Sequence, residues 1–243
     1  MLSLAALLAA LFAAIHLLIG KAVFLNVIPR SAWLSMAGGA STAYVFVYLL
    51  PKLADAQGKL RPHLGSLGFL DNHMYFVAVV GLAAFYGVDR VIQISNQRER
   101  EGRENDDRTG SPVFWLHIGS FTVYNVLIGY LLLGRGDEGL IPLALYFVAM
   151  ALHLVTTDFG LFEEHSTSYQ RVGRFLLAGA VLLGAAMGAF LPVDERLLGV
   201  LLAVLAGGIV LNVLREELPE ARESRFRPFF AGAVGYGLLL MAV

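Results

Sequence analysis

Long apolar stretches alternate with short polar ones along most of the sequence. Eight of the stretches come close to the ~20 apolar residues that an α-helix needs to cross a bilayer. They cover residues 2–25, 32–53, 73–94, 112–133, 140–164, 172–191, 197–214 and 228–243. The pattern predicts an all-α integral membrane protein, with eight transmembrane helices in a single membrane domain over residues 1–243.

The composition agrees with a membrane protein. Hydrophobic residues make up 57% of the chain and charged residues 15%, whereas soluble domains average about 25% charged residues. The net charge of −1 indicates no nucleic-acid partner. Cysteine is absent, which excludes disulfides and thiolate metal sites. The lipid bilayer is therefore the one partner that the composition predicts.

Basic residues are distributed unevenly between the two sides of the predicted helices. The connections after the first, third, fifth and seventh helices, with the helix ends beside them, hold 13 of the 18 Lys and Arg residues. Since basic loops stay in the cytoplasm, we expect both termini on the opposite side, in a plasma or inner membrane. The strongly charged linker, residues 95–111, is then cytoplasmic.

Two ionisable residues stand out in the fifth predicted helix, His153 and Asp158. Such residues at membrane depth are costly and often functional, although helix–helix hydrogen bonding is an alternative role. His16 and His117 are expected to make structural hydrogen bonds. His165 is expected at a solvated helix end, with a cytoplasmic exit site for metal as the alternative. The path of any substrate is therefore predicted beside this helix.

An internal repeat links the second and seventh predicted helices. Gly38-Gly39 precedes Leu50-Pro51, and Gly207-Gly208 precedes Leu218-Pro219, at distances that differ by one residue. The two helices run in opposite directions in the predicted topology, and inverted repeats are typical of secondary transporters. The prediction is a 3+2+3 inverted-repeat arrangement, with the fourth and fifth helices at its centre.

These features resemble the ZIP family of divalent-metal transporters, and the resemblance extends over most of the chain. The family has eight helices, outward termini, a long cytoplasmic loop between helices 3 and 4, and a 3+2+3 inverted repeat. Gly38-Gly39 followed by Leu49-Leu50-Pro51-Lys52 is similar to the family's Gly-Gly and Leu-Leu-Pro-Glu segment. The stretch from Asn212 to Glu220 resembles the counterpart in helix 7 that ends in Leu-Pro-Glu.

The fifth predicted helix keeps only part of the family's metal motif. That motif reads His-Glu-x-Pro-His-Glu-x-Gly, and residues 153–160 read His-Leu-Val-Thr-Thr-Asp-Phe-Gly. His153 and Asp158 keep one histidine and one acidic position, while Thr157 replaces the second histidine. The resemblance thus implies His153 and Asp158 as metal-binding residues.

The fourth predicted helix departs further from the family. Aligning Leu127-Ile128-Gly129 with the end of the family's helix 4 motif places Ser120 at the histidine position, Tyr124 at the acidic position and Asn125 at a glycine. These groups carry no charge to compensate a dication, so a tight binuclear zinc site is not expected. The substrate path implied by the resemblance comprises Ser120, Tyr124, Asn125, Thr157 and Asn212.

The resemblance implies a divergent ZIP-like transporter that moves a divalent metal ion or another small solute beside the fourth and fifth helices. The metal is then substrate, and no cofactor is predicted. An alternative is a non-transporting protein of the same fold, acting as a scaffold or sensor, and a homodimer is compatible with both. If the motif matches are coincidental, only the eight helices remain. No constellation for acyl transfer, proteolysis or phosphoryl transfer is present, so an enzyme is not expected.

Overall fold

The computed structural model describes residues 2–21, 32–60, 73–102, 112–137, 139–191, 195–212 and 226–242. Within these ranges the chain forms helices α1 to α8 and no strand. Two of them contain a π-helical segment: α2 at Tyr44–Leu49 and α6 at Tyr169–Gly173. The helices are α1 (Leu2–Leu18, extended by the 3-10 turn Ile19–Lys21), α2 (Ala32–Ala43 through Leu50–Leu60), α3 (His73–Gly102), α4 (Pro112–Asp137), α5 (Leu140–Glu164), α6 (Ser166–Ser168 through Arg174–Phe190), α7 (Glu195–Asn212) and α8 (Phe226–Met241).

The predicted all-helical class is confirmed. Five helices, α2 to α6, are long and apolar enough to cross a membrane. The apolar helices Leu2–Leu18, Leu197–Leu211 and Phe226–Met241 are shorter. The structure therefore supports a helical membrane protein, while the full set of eight spans stays a prediction.

Several helix ends differ from the prediction. Helix α3 continues to Gly102, well past the predicted end near residue 94, so the first part of the charged linker is helical. Helix α4 continues to Asp137 and takes up most of the predicted loop before α5. Helix α6 begins at Ser166, ahead of the predicted start near residue 172. Polar and charged residues mark the ends of the apolar segments, but they do not end the helices.

Within the described ranges, close helix packing at glycine occurs in three helix pairs. A Cβ atom built on Gly39 of α2 would overlap the carbonyl oxygen of Phe229 in α8, and one on Gly232 would overlap that of Met36. Helices α3 and α7 meet in the same way, and so do α4 and α6. Because glycine has no Cβ, the backbones of membrane helices can approach closely at these points. The glycines of the other two pairs are Gly81 with Gly207, and Gly129 with Gly184.

Helix α5 has other helices on several sides. It packs against α1, α2, α4 and α6, and the Tyr236 hydroxyl of α8 donates to the carbonyl of Leu145. Half of its apolar window is buried, compared with 17% for α3. The buried polar side chains of α5 can thus contact groups on the neighbouring helices.

Candidate functional site

Three buried ionisable side chains lie on α5 and at its C-cap. His153, Asp158 and His165 are 0%, 1% and 2% exposed. At 1.5 Å of rise per residue they are spaced by about 8 Å and about 11 Å along the helix axis. Together they extend over about 18 Å along the helix. Each of them needs a polar partner, because an isolated buried polar or charged group is costly.

Asp158 meets two side chains from other helices. Its Oδ2 atom lies 2.6 Å from Nδ1 of His16 in α1, and the Tyr169 hydroxyl of α6 donates to it at 2.9 Å. All three side chains are buried. A carboxylate that accepts two hydrogen bonds is well compensated, so the predicted site residue Asp158 lies in a network that joins α1, α5 and α6.

The backbone at Tyr169 is unusual. Tyr169 is the first residue of the π-helical segment Tyr169–Gly173, and its hydroxyl also lies 3.3 Å from the carbonyl oxygen of His16. A π-helical turn shifts the register of the side chains that follow it, and such turns are frequent at functional sites. Here the turn accompanies a tyrosine directed at the buried carboxylate.

His153 meets a different helix. Its Nε2 atom lies 3.0 Å from the Tyr124 hydroxyl of α4, and the two rings are in contact. The hydroxyls of Thr156 and Thr157 donate to the backbone carbonyl of His153. The predicted path residues Tyr124 and Thr157 thus lie at His153, and the structure brings these three together.

The other predicted path residues are more dispersed. Asn125 donates from Nδ2 to the carbonyl of Phe121, and among the described residues its buried Oδ1 has no hydrogen-bond partner. Ser120 donates to the carbonyl of His117 and lines a small cavity. Asn212 ends α7, and its side chain lies outside the described residues. Asn125 therefore offers an open acceptor, whereas the Ser120 hydroxyl is bonded to the His117 carbonyl beside the cavity.

A histidine pair lies at the far end of α5. Nδ1 of His117 in α4 is 3.3 Å from Nε2 of His165, and both rings are buried. The prediction of a solvated helix end at His165 is wrong, because α6 follows after one residue and the ring turns inward against Phe114. The predicted hydrogen bonds of His16 and His117 are confirmed. One sequence signal was present: each of these histidines occurs in or beside an apolar helix.

The metal prediction is not settled by this geometry. His153 and Asp158 contact different helices and share no partner among their described hydrogen bonds. Among the described residues there is no group of three or more His, Asp or Glu side chains arranged to hold a metal ion. Metal binding at these two residues therefore stays a prediction.

The long apolar helices support a helical membrane protein, and a few ionisable groups are buried within its largely apolar interior. No protein-family model, curated protein or solved structure matches the chain. The ZIP resemblance rests on the residues quoted above.

Proposed function

We propose that the chain is a divergent ZIP-like membrane transporter that moves a small ion or solute beside α4 and α5. One observation carries the proposal: the three buried ionisable side chains on α5 and at its C-cap are each in contact with a side chain of another helix. Chains of buried Asp and His residues mark ion pathways and proton relays in transporters. The bilayer is the partner surface.

The helix pairs support eight crossings. In α2 and α8, residues with higher numbers in one helix contact residues with higher numbers in the other: Met36 contacts Gly232, and Val47 contacts Gly237. The two helices therefore run in the same direction. The contacts between α3 and α7, and between α4 and α6, advance in the same way. In a chain that crosses the membrane with every helix, all even-numbered helices run one way and all odd-numbered helices the other. The observed directions fit that rule.

The glycine contacts also support the inverted repeat. Gly39 lies twelve residues before Pro51, and Gly207 lies twelve residues before Pro219. In a repeat that relates helices 1, 2 and 3 to helices 6, 7 and 8, the pair α2–α8 corresponds to the pair α7–α3. Gly39 faces α8, and Gly207 faces α3. Two equivalent glycines thus make equivalent contacts.

The polar contacts suggest which helices move together. Helices α1, α5 and α6 are joined through Asp158, and α4 packs closely on α6 at Gly129 and Gly184. Helices α2 and α8, and α3 and α7, form separate close pairs. In the proposed mechanism α1, α4, α5 and α6 move as one unit against the other four helices, and this motion exposes the path to each side in turn.

The donor set favours a small monovalent cation, a proton or a polar solute over a dication. Asp158 is the one carboxylate of the described α5 residues that is buried, and its Oδ2 is already held by His16 and Tyr169. A dication bound there would keep uncompensated charge at membrane depth. Asp158 would then bear the transported or coupling charge, and His153 with Tyr124 would contact the solute.

Transport is tested with purified protein in liposomes. Uptake of a panel of divalent metals and monovalent cations, together with proton movement from an internal pH dye, is compared for the native chain and Asp158→Asn. We expect flux of at least one species, lost in Asp158→Asn and kept in Gly235→Ala, where an added Cβ meets nothing within 4 Å. Flux that does not depend on Asp158 would refute the assigned path. Elemental analysis of the purified protein tests metal binding.

A scaffold or sensor of the same fold is the second candidate. It is favoured by the incomplete metal motif, in which Thr157 replaces the second histidine and Tyr124 stands at the acidic position. A folded protein that moves none of the tested species and forms a stable homodimer would support it. Since the chain has no cysteine, single introduced cysteines can also test the proposed orientation, with both termini outside the cytoplasm of a plasma or inner membrane.

A further inference from the structure

A small cavity lies between α3, α4 and α7, away from the residues assigned to the path except for Ser120. Its volume is about 10 Å³, which is room for about one water molecule. Three polar side chains line it, Asp89, His117 and Ser120, among apolar neighbours such as Phe85 and Leu211. The cavity therefore gives a water molecule access to His117, the ring that contacts His165.

We propose that His117 and His165 form a proton-binding site at this cavity, with Asp89 as the nearby acid. The two facing nitrogens are 3.3 Å apart. In the neutral pair one ring donates its N–H and the other accepts with its lone pair. The ligand is a proton delivered by hydronium, which binds to a ring nitrogen and leaves water behind.

The chemistry of the pair predicts two unequal steps. One added proton gives an imidazolium beside a neutral imidazole, and a hydrogen bond from a charged donor is stronger than a neutral one. A second proton places two cationic donors face to face with no acceptor between them. Interacting sites of this kind titrate as a pair in separate macroscopic steps. The site thus binds the second proton less readily than the first.

The surroundings decide the charge balance of the site. Among the described residues, α3 contributes Asp89, whose Oδ2 accepts a hydrogen bond from Gln93, and α7 contributes the apolar Leu211. Helix α6 contributes Tyr169, whose backbone N–H donates to the His165 carbonyl and whose hydroxyl is held by Asp158. It also contributes Arg174, a cation close enough to act electrostatically on Tyr169. Asp89 is thus the acid beside the cavity that favours a cationic histidine.

Protonation would act on the contact between α4 and α5. His117 belongs to α4 and His165 caps the end of α5, so a doubly protonated pair pushes these two helices apart at one end. The use of this site for coupling to transport rests on the proposed function, but the proton binding itself does not.

The test is a pH titration of the histidine rings by NMR on the full chain in detergent, with ¹⁵N-labelled histidine. The chain has six histidines, so His117→Gln and His165→Gln assign the two signals, and His63→Gln serves as the control. We expect two separated steps in the native protein and a single step for either ring once its partner is replaced. The control should leave both steps in place.

Two results would overturn the site: rings that stay neutral between pH 5 and 8, or a His117 titration that is the same with and without His165. If both histidine variants fail to fold, Asp89→Asn provides the second test, with the steps expected at lower pH and an unchanged titration counting against the proposal. If the liposomes show flux but His117 and His165 do not titrate, the proposed function is kept and this proton site is rejected. If the two histidines titrate as expected but no flux is found, the proton site is kept and the proposed function is rejected.

Discussion

Nδ1 of His16 lies 2.6 Å from Oδ2 of Asp158, although 142 residues separate them in the chain. The contact joins α1 to α5, and Tyr169 adds α6 through the same oxygen atom. Water cannot replace either partner in a buried site, so loss of one leaves the other unsatisfied. The three helices are therefore fixed to one another at a single carboxylate.

The first prediction concerns the energy of this contact. In a double-mutant cycle with His16→Gln and Asp158→Asn, we expect a coupling free energy of about 1–2 kcal/mol. Intramembrane hydrogen bonds average about 0.6 kcal/mol, and a charged acceptor makes this one stronger. Reversible unfolding in mixed micelles measures it. The control cycle pairs His16→Gln with Asp89→Asn, two residues without a described contact, and should be additive within about 0.5 kcal/mol.

The second prediction separates Tyr169 from other buried tyrosines. Tyr169→Phe removes a hydroxyl that donates to Asp158, and Tyr146→Phe removes one that donates to the backbone carbonyl of Ile128 at 2.8 Å. Both side chains are 1% exposed. We expect Tyr169→Phe to cost about 1.5–3 kcal/mol of unfolding free energy and Tyr146→Phe about 1 kcal/mol, because bonds to charged groups are stronger. Equal losses in the same unfolding experiment would contradict this reading of Asp158 as an anion.

The apolar pattern predicted the helices because each apolar run is long enough to indicate a helix without knowledge of the fold. The same pattern predicted the helix ends less accurately. Residues 97–101, Gln-Arg-Glu-Arg-Glu, are charged like a linker, yet Gln, Arg and Glu are good helix formers. Helix α3 accordingly continues through them to Gly102. Charge marks the edge of the apolar segment there, and helix propensity decides where the helix ends.

The candidate site was harder to predict than the fold. Asp158 and His153 could be singled out, since an ionisable residue in an apolar helix is visible in the sequence. Their partners could not, because His16 and Tyr169 come from helices that meet α5 only in three dimensions. Nor does any local spacing relate His117 to His165, which are 48 residues apart. Long-range side-chain pairing follows from helix packing, and one sequence does not reveal it.

The third prediction tests the close helix pairs. In Gly39→Ala the new methyl group would overlap the Phe229 carbonyl of α8, so the two helices must separate. We expect a loss of about 1–3 kcal/mol, as for other overpacked sites. Gly235→Ala lies in the same helix α8, but nothing is within 4 Å of the new Cβ, so it should cause no loss. Thermal unfolding in detergent compares them, and equal stability of both variants would contradict the packing.

The fourth prediction follows from the proposed repeat. If Gly39 and Gly207 are equivalent, Gly207→Ala should destabilise the protein by a similar amount, because its Cβ would overlap the Ala78 carbonyl of α3. The two losses should agree within about 0.5 kcal/mol and should add in the double variant, since they affect separate helix pairs. Gly179→Ala in α6, which meets nothing within 4 Å, is the control. A harmless Gly207→Ala would remove the equivalence and weaken the case for the inverted repeat.

The last prediction concerns the contact between α4 and α5. Tyr124→Phe removes the hydroxyl that lies 3.0 Å from Nε2 of His153 and leaves the ring, which packs edge-on against Phe85. If this contact lies on the path, liposome flux should fall at least about tenfold, the equivalent of about 1.4 kcal/mol, while stability changes by only about 1 kcal/mol. Tyr236→Phe, whose hydroxyl donates to a backbone carbonyl of α5 at 2.6 Å, should lose similar stability and keep its flux. Equal losses of flux in Tyr124→Phe and Tyr236→Phe would show that the Tyr124 hydroxyl only supports helix packing. A hydroxyl on the path should affect the solute more than a structural hydroxyl of similar contribution to stability.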